Sequence, residues 1–143
     1  MSMTSDNDLI GTWKLKTYIV EIQSTGQKIY PMGLHPQGYA IFTANGRVMF
    51  VLTGGGRLPA KTDAELANLH KTIVSYTGPY RIEGDQWVTS VEVAWNPEWV
   101  GTEQRRHFQI HGNEMLVTTT WRVMPNWQEW GMQRSILNFE KVQ

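Results

Sequence analysis

The stretch that decides the fold runs from Tyr76 to Trp121, YTGPYRIEGDQWVTSVEVAWNPEWVGTEQRRHFQIHGNEMLVTTTW. Gly84-Asp85, Asn96-Pro97 and Gly112-Asn113 punctuate it. Gly and Asn supply the positive φ that tight reversals need, so each mark turns the chain back on itself. Four antiparallel strands result: Tyr80 to Glu83, Gln86 to Trp95, Thr102 to His111 and Met115 to Trp121. The register that joins apolar partners sets Val91 opposite Arg106, so that Trp87 meets Ile110, Thr89 meets Phe108 and Trp95 meets Thr102. Across the Gly112 turn, Ile110 meets Met115, Phe108 meets Val117, Arg106 meets Thr119 and Gln104 meets Trp121. The other face pairs Glu92 with Arg105 and Ser90 with His107, as a solvated face does. Arg106 and Gln104 stand out, because they are strong hydrogen-bonding side chains on a face of Trp, Val, Phe, Ile and Met. A buried guanidinium is expensive without a partner, so the site needs a carboxylate such as Glu129, a carbonyl, water or a ligand.

Outward from that meander the pattern stays strand-like. After a stretch expected to be disordered over residues 1–8, Leu9 to Ile22 alternates, with Trp13, Leu15, Thr17 and Ile19 on one face and Lys14, Lys16 and Tyr18 on the other. Pro31 to Gly38 makes a shaped loop, and Tyr39 to Thr43 and Arg47 to Thr53 flank an Ala44-Asn45-Gly46 hairpin. The one convincing helix starts at Asp63, because Thr62 and Glu65 form a T-x-x-E capping box. Leu66, Leu69 and Ile73 give it a narrow apolar stripe that should lie across one end of the sheet. A Pro/Asn/Trp loop spans Met124 to Trp130, and Gly131 to Val142 is the last strand. So many short hairpins without a parallel crossover close most easily into an up-and-down barrel, which removes both sheet edges.

Composition narrows the partners. Of 143 residues, 13 are basic and 13 acidic, so no concentrated cationic face is expected to meet nucleic acid or an anionic membrane. Cysteine is absent, which removes disulfides, thiolate metal sites and thiol nucleophiles. The polar opening MSMTSDNDLIG has no apolar core of a signal peptide, and a cytoplasmic location is the default expectation. Five of seven tryptophans fall between Trp95 and Trp130 near strand ends, where aromatic rims line ligand mouths.

The opening Leu9-Ile10-Gly11-Thr12-Trp13-Lys14-Leu15 resembles the G-x-W signature on the first strand of lipocalins. Gly38 through Gly46-Arg47, Tyr76 to Tyr80, and Pro97 to Thr102 with Gln104, Arg106 and Phe108 resemble the bacterial and fungal lipocalin-like domain family. That resemblance covers nearly the whole chain. It implies an all-β, lipocalin-like up-and-down antiparallel β-barrel of eight to ten strands over residues 9–143, with one short helix covering one end. It also implies that Trp13 closes the barrel base under a cation from the last strand, which would be Arg134. Family members often carry histidine on the strand before the Pro-x-Trp-x-Gly loop, where this chain has Thr89, Ser90, Val91 and Glu92. Relatives of this fold include both carriers and cofactor-free enzymes, so the fold leaves the chemistry open.

The residues weigh against most catalytic signatures. His107 and His111 share a strand face but stand about 13 Å apart, too far for one metal ion, and His35 and His70 lie elsewhere, so no metal site is expected. The GGRLPAKT stretch has alanine at its second required glycine and no parallel sheet around it, so it is no phosphate loop. No G-x-S-x-G occurs, and Ser90 beside His107 lies on the outer face. What remains is Arg106 as the fixed cation of an apolar pocket, oriented by Gln104 and lined by Trp87, Trp95, Phe108, Val117, Thr119 and Trp121. A cavity of roughly a few hundred Å3 is expected there, for a small apolar molecule carrying a carboxylate or carbonyl and no cofactor. The alternative is a cofactor-free isomerase, cyclase or dehydratase in which Arg106 stabilises an enolate and His35 or Tyr80 moves the proton. A third expectation is a homodimer through exposed Trp99, Trp127 or Trp130.

Overall fold

Ten strands, all antiparallel to their neighbours, form one sheet in the computed structural model, which describes residues 6–143. They are β1 (Gly11–Ile22), β2 (Lys28–Ile29), β3 (Gln37–Phe42), β4 (Arg47–Thr53), β5 (Ile73–Glu83), β6 (Gln86–Ser90), β7 (Val93–Ala94), β8 (Glu103–His111), β9 (Glu114–Thr119) and β10 (Gln133–Lys141). Pairing of β10 with β1 closes eight of them into a barrel, with β2 and β7 as short additions to β1 and β5. Of the stretch 1–8 expected to be disordered, residues 1–5 lie outside the described residues, and Asp6–Leu9 form one helical turn, α1.

The topology sorts the connections by length. The β3–β4, β5–β6 and β8–β9 hairpins share one end with the start of β1 and the end of β10, and the four long connections gather at the other. The hairpin end is sealed. Trp13 is 1% exposed and its indole N–H donates to the Leu9 carbonyl at 2.9 Å. The cation over its ring is Lys141, with Nζ 4.8 Å from the centroid, rather than the Arg134 that the resemblance implied. Register decides this, because β1 sets Trp13 opposite Lys141, whereas Arg134 lies opposite Glu21 at the far end of the barrel. Arg134 there binds Glu21 at 2.9 Å and stacks on Trp121 at 4.5 Å.

Two departures from the expected register matter for the interior. First, β1 has a bulge between Leu15 and Thr17, so the buried positions switch from Trp13 and Leu15 to Tyr18, Val20 and Ile22. Tyr18 therefore points inward, and Thr17 and Ile19 do not join the buried set. Second, β6 sets Trp87 opposite Arg106 and Thr89 opposite Gln104, four residues away from the Val91–Arg106 pairing expected. The expected hairpin strand 86–95 breaks after Ser90, because Val91 N–H bonds to Thr102 O and Gly101 N–H to Val91 O. The chain then pairs Val93–Ala94 back onto β5, and Asn96 caps a 3-10 turn over Pro97–Trp99. An even slip preserves sidedness, so Trp87, Thr89, Arg106 and Phe108 are still buried. On the outer face Glu92 meets Arg47 and Arg105 meets Glu83, in place of the Glu92–Arg105 and Ser90–His107 pairs.

Gly78 explains how β5 serves two partners. A Cβ there would lie 1.9 Å from the Ser90 carbonyl oxygen and 2.8 Å from its carbon, both rigid backbone atoms. Gly78→Ala should therefore lower stability by about 2 kcal/mol, read as a lower urea midpoint with an unchanged slope.

The helix α2 (Asp63–His70) starts where expected. Thr62 Oγ1 accepts from Glu65 N–H at 3.1 Å, and Glu65 Oε1 accepts from Thr62 N–H at 3.0 Å. Its apolar stripe does not plug the barrel, however, since no residue of α2 is buried and Leu66 is 56% exposed. The helix is held at the long-loop rim by its C-terminal end. Asn126 Nδ2 donates to the carbonyls of His70, Lys71 and Ile73 at 3.4, 3.2 and 2.9 Å.

Outside, Arg81 bridges Glu83 and Glu103 at 2.7 and 2.8 Å, and Arg105 reaches Glu83 at 2.8 Å. The Arg105 and Arg81 hydrogen bonds hold the Glu83 carboxyl below its ordinary 4.5, and Arg81 does the same for Glu103. Depressed carboxylates stabilise the fold above their unfolded pKa and lose that contribution as pH falls through the folded value. Stability should thus be flat above pH 4.5 and decline below it, with a shallower decline in Glu103→Gln and at high salt.

Candidate functional site

Inside the barrel, at the long-loop end, polar side chains converge that strand alternation alone would scatter. The bulge in β1 delivers Tyr18, β5 delivers Tyr76, β8 delivers Arg106, β9 delivers Thr119 and β10 delivers Ser135. The sixth is Arg122, which follows β9 and is fixed by an isolated bridge to Gln133, with Arg122 N–H to Gln133 O at 2.9 Å and the return bond at 2.8 Å. Apolar walls from Phe50, Leu52, Val74, Trp99, Val117, Met124 and Leu137 complete the lining. The space between them is about 20 Å3, room for roughly one water, rather than the few hundred Å3 expected. Trp99, Met124 and Trp127 are buried where an open mouth was expected.

Arg106 is 6% exposed. Its Nη1 donates to the Arg105 carbonyl at 2.9 Å, and its guanidinium carbon lies 5.7 Å from the Trp99 ring and 5.9 Å from the Tyr76 ring. Burial pushes the Tyr76 hydroxyl up, and the Arg106 charge and hydrogen bond work against that rise. Tyr76 is therefore a proton donor at neutral pH. Arg122 Nη2 donates to Ser135 Oγ at 3.0 Å and contacts Met124 Sδ at 3.5 Å, while its buried Nε finds no partner. Desolvation pushes Arg122 down to about 10, Tyr18 opposes the shift and the like charge of Arg106 adds to it. Ser135 Oγ in turn donates to the Tyr18 hydroxyl oxygen Oη at 3.2 Å.

The balance of charge is one-sided. Among the described residues no carboxylate pairs with either guanidinium, and none of the residues lining the cavity is acidic. Glu129, named above as a partner for Arg106, is exposed. Two cations share a nearly dry interior with donors in excess, which is an arrangement that receives an anion or a polarised carbonyl.

The residues named from sequence divide into three groups. Arg106, Val117 and Thr119 line the cavity. Trp87 and Phe108 lie deeper, in an aromatic cluster, and Gln104 donates to Thr102 Oγ1 at 2.9 Å, so it does not orient Arg106. Trp95 packs on Trp99 at 4.8 Å and otherwise borders an outer groove, and Trp121 lies under Arg134 on the outside. Neither His35, exposed with its carbonyl against the Gly55 backbone, nor Tyr80, edge-on to Phe42 at 5.3 Å, joins the cavity lining. Trp99 and Trp127 are buried, packed on Tyr76 and Tyr18 at 5.1 and 5.8 Å, while Trp130 is half-buried and stacks on Trp127 at 5.7 Å. Tyr18, Tyr76, Arg122 and Ser135 were missed.

A closed antiparallel barrel with one sealed end and a polar cluster inside the other defines a lipocalin-like β-barrel, a fold suited to small hydrophobic ligands. The model of the lipocalin-like domain family matches residues 10–142, and the chain belongs to that family. No curated protein matches it. No helix among the described residues is long and apolar enough to cross a membrane.

Proposed function

We propose that this barrel binds a small, mainly apolar molecule through one carboxylate or polarised carbonyl, seated on Arg106 and Arg122 at the long-loop end. The observation that carries this reading is the pair of guanidiniums lining the cavity, Arg106 buried and Arg122 half-buried, with no carboxylate on either among the described residues and with walls of Phe50, Trp99, Val117 and Leu137. Leaving such charges unpaired costs several kcal/mol, and an incoming anion recovers much of it. The apolar part of the ligand needs more room than about 20 Å3, so binding displaces the segment that closes the mouth. That segment is Pro125–Trp130, two short 3-10 turns kinked at Trp127, where φ is −136° and ψ 55°. The cavity supplies tyrosine hydroxyls as proton donors but no His, Asp or Glu as a base, which favours binding over catalysis.

Tryptophan fluorescence tests this directly, since Trp99 lines the cavity and Trp127 packs on its lining residue Tyr18 at 5.8 Å. Titrating medium-chain carboxylates beside the matching primary alcohols should show the acid binding at least about tenfold tighter. Equal affinities for acid and alcohol would remove the guanidiniums from recognition.

A further inference from the structure

We propose that Arg106 and Arg122 hold one halide-sized monovalent anion between them whenever no organic ligand is bound. This rests on the cavity itself and not on the organic ligand. Each guanidinium carries five N–H donors in a fixed fork. Arg106 spends one on the Arg105 carbonyl and meets the Tyr76 oxygen, and Arg122 spends its Nη groups on Ser135, Gln133 and the weak acceptor Met124 Sδ and meets the Tyr18 oxygen. The Nε of Arg122 is buried without an acceptor. Donors thus outnumber acceptors in a volume from which carboxylates are absent among the described residues.

Size and wall chemistry select the kind of anion. About 20 Å3 admits one water-sized particle and excludes a phosphate or sulfate with its four oxygens. Phe50, Val117 and Leu137 present carbon rather than donors, which suits a large, weakly hydrated ion. A water could fill the space but would leave both positive charges uncompensated, whereas chloride or bromide offsets one of them. The carboxylate of the proposed ligand would then enter by exchange for the halide.

The test needs no organic ligand. Gluconate is replaced by bromide at constant ionic strength, from about 1 to about 100 mM, and thermal unfolding is followed; occupancy of the folded state alone should raise the midpoint by about 3 °C. Arg122→Gln should lose most of that rise. Crystals grown in bromide should show an anomalous peak between Arg106 and Arg122, a reading that stands even if the variant folds poorly. An unchanged midpoint with no anomalous peak overturns the inference. Carboxylate binding without a bromide response overturns this inference alone. A bromide response without carboxylate binding supports it and removes the proposed function instead.

Discussion

Replacing Trp87 with alanine should lower the free energy of unfolding by about 4 kcal/mol, the largest loss expected from any single side chain in the barrel. Trp87 is 0% exposed and holds three other rings: Phe42 edge-on at 5.1 Å, Phe108 at 5.3 Å and Phe50 stacked at 6.1 Å. Those rings come from β3, β8 and β4, so the indole ties opposite sides of the closed sheet together. Removing it leaves a hole bounded by rigid strands that cannot collapse inward, which places the loss toward the upper range for large-to-small changes. Trp87→Phe should behave differently. The indole Nε1 is buried without a hydrogen-bond partner, so phenylalanine removes an unsatisfied donor while shrinking the side chain, and the two effects partly cancel to about 1 kcal/mol. Equilibrium urea unfolding of both variants separates these outcomes.

The second large effect falls on affinity. Arg106→Gln should weaken binding of a medium-chain carboxylate about 100-fold, because truncating a buried hydrogen-bonded charge leaves the ligand's carboxylate facing one guanidinium instead of two. Arg106→Lys keeps the charge but loses the planar fork, and should cost about tenfold. Gln104→Ala should change nothing, since Gln104 is engaged with Thr102 rather than with Arg106. Without ligand and in halide-free buffer, Arg106→Gln should leave stability unchanged or raise it, because it relieves the like-charge pressure on Arg122. Calorimetric titration with a parallel unfolding measurement reads both quantities. A variant that holds its stability while losing affinity marks Arg106 as a binding residue rather than a structural one.

The fold was legible in the sequence because its signals are local. The Gly84-Asp85, Asn45-Gly46 and Gly112-Asn113 turns close hairpins, and the T-x-x-E box starts α2 at Asp63. The Arg106–Thr119, Phe108–Val117 and Ile110–Met115 pairs stand in the expected register, because a short turn fixes it. Between β6 and β8 the connection is a 3-10 loop instead of a hairpin, and there the register slipped by four.

Two of the four missed members of the interior polar cluster, Tyr18 and Arg122, escaped for one shared reason. Alternation assigns faces only while a strand is regular, and an extra residue reverses every assignment after it. Tyr18 follows the bulge between Leu15 and Thr17, and Arg122 follows the break at Thr120, so both point inward from positions read as outward or as loop. Trp121 shows the same reversal in the other sense, read as a lining residue but lying outside against Arg134. The stripe on α2 failed differently. Leu66 and Leu69 recur at helical spacing, yet an eight-residue helix tied at the rim through Asn126 has no apolar partner to face. Only the absence of any nearby acidic residue in the 117–122 segment, VTTTWR, hinted that Arg122 would go unpaired.

The most direct measurement is a crystal structure with a medium-chain carboxylate brominated at its far end, since bromine marks the tail and the carboxylate marks the head. The head should lie between Arg106 and Arg122, with the tail in space opened by movement of Met124 and Trp127. A ligand bound in the outer groove beside Trp95, or an interior that keeps its volume of about 20 Å3 at saturating ligand, would contradict the interior site.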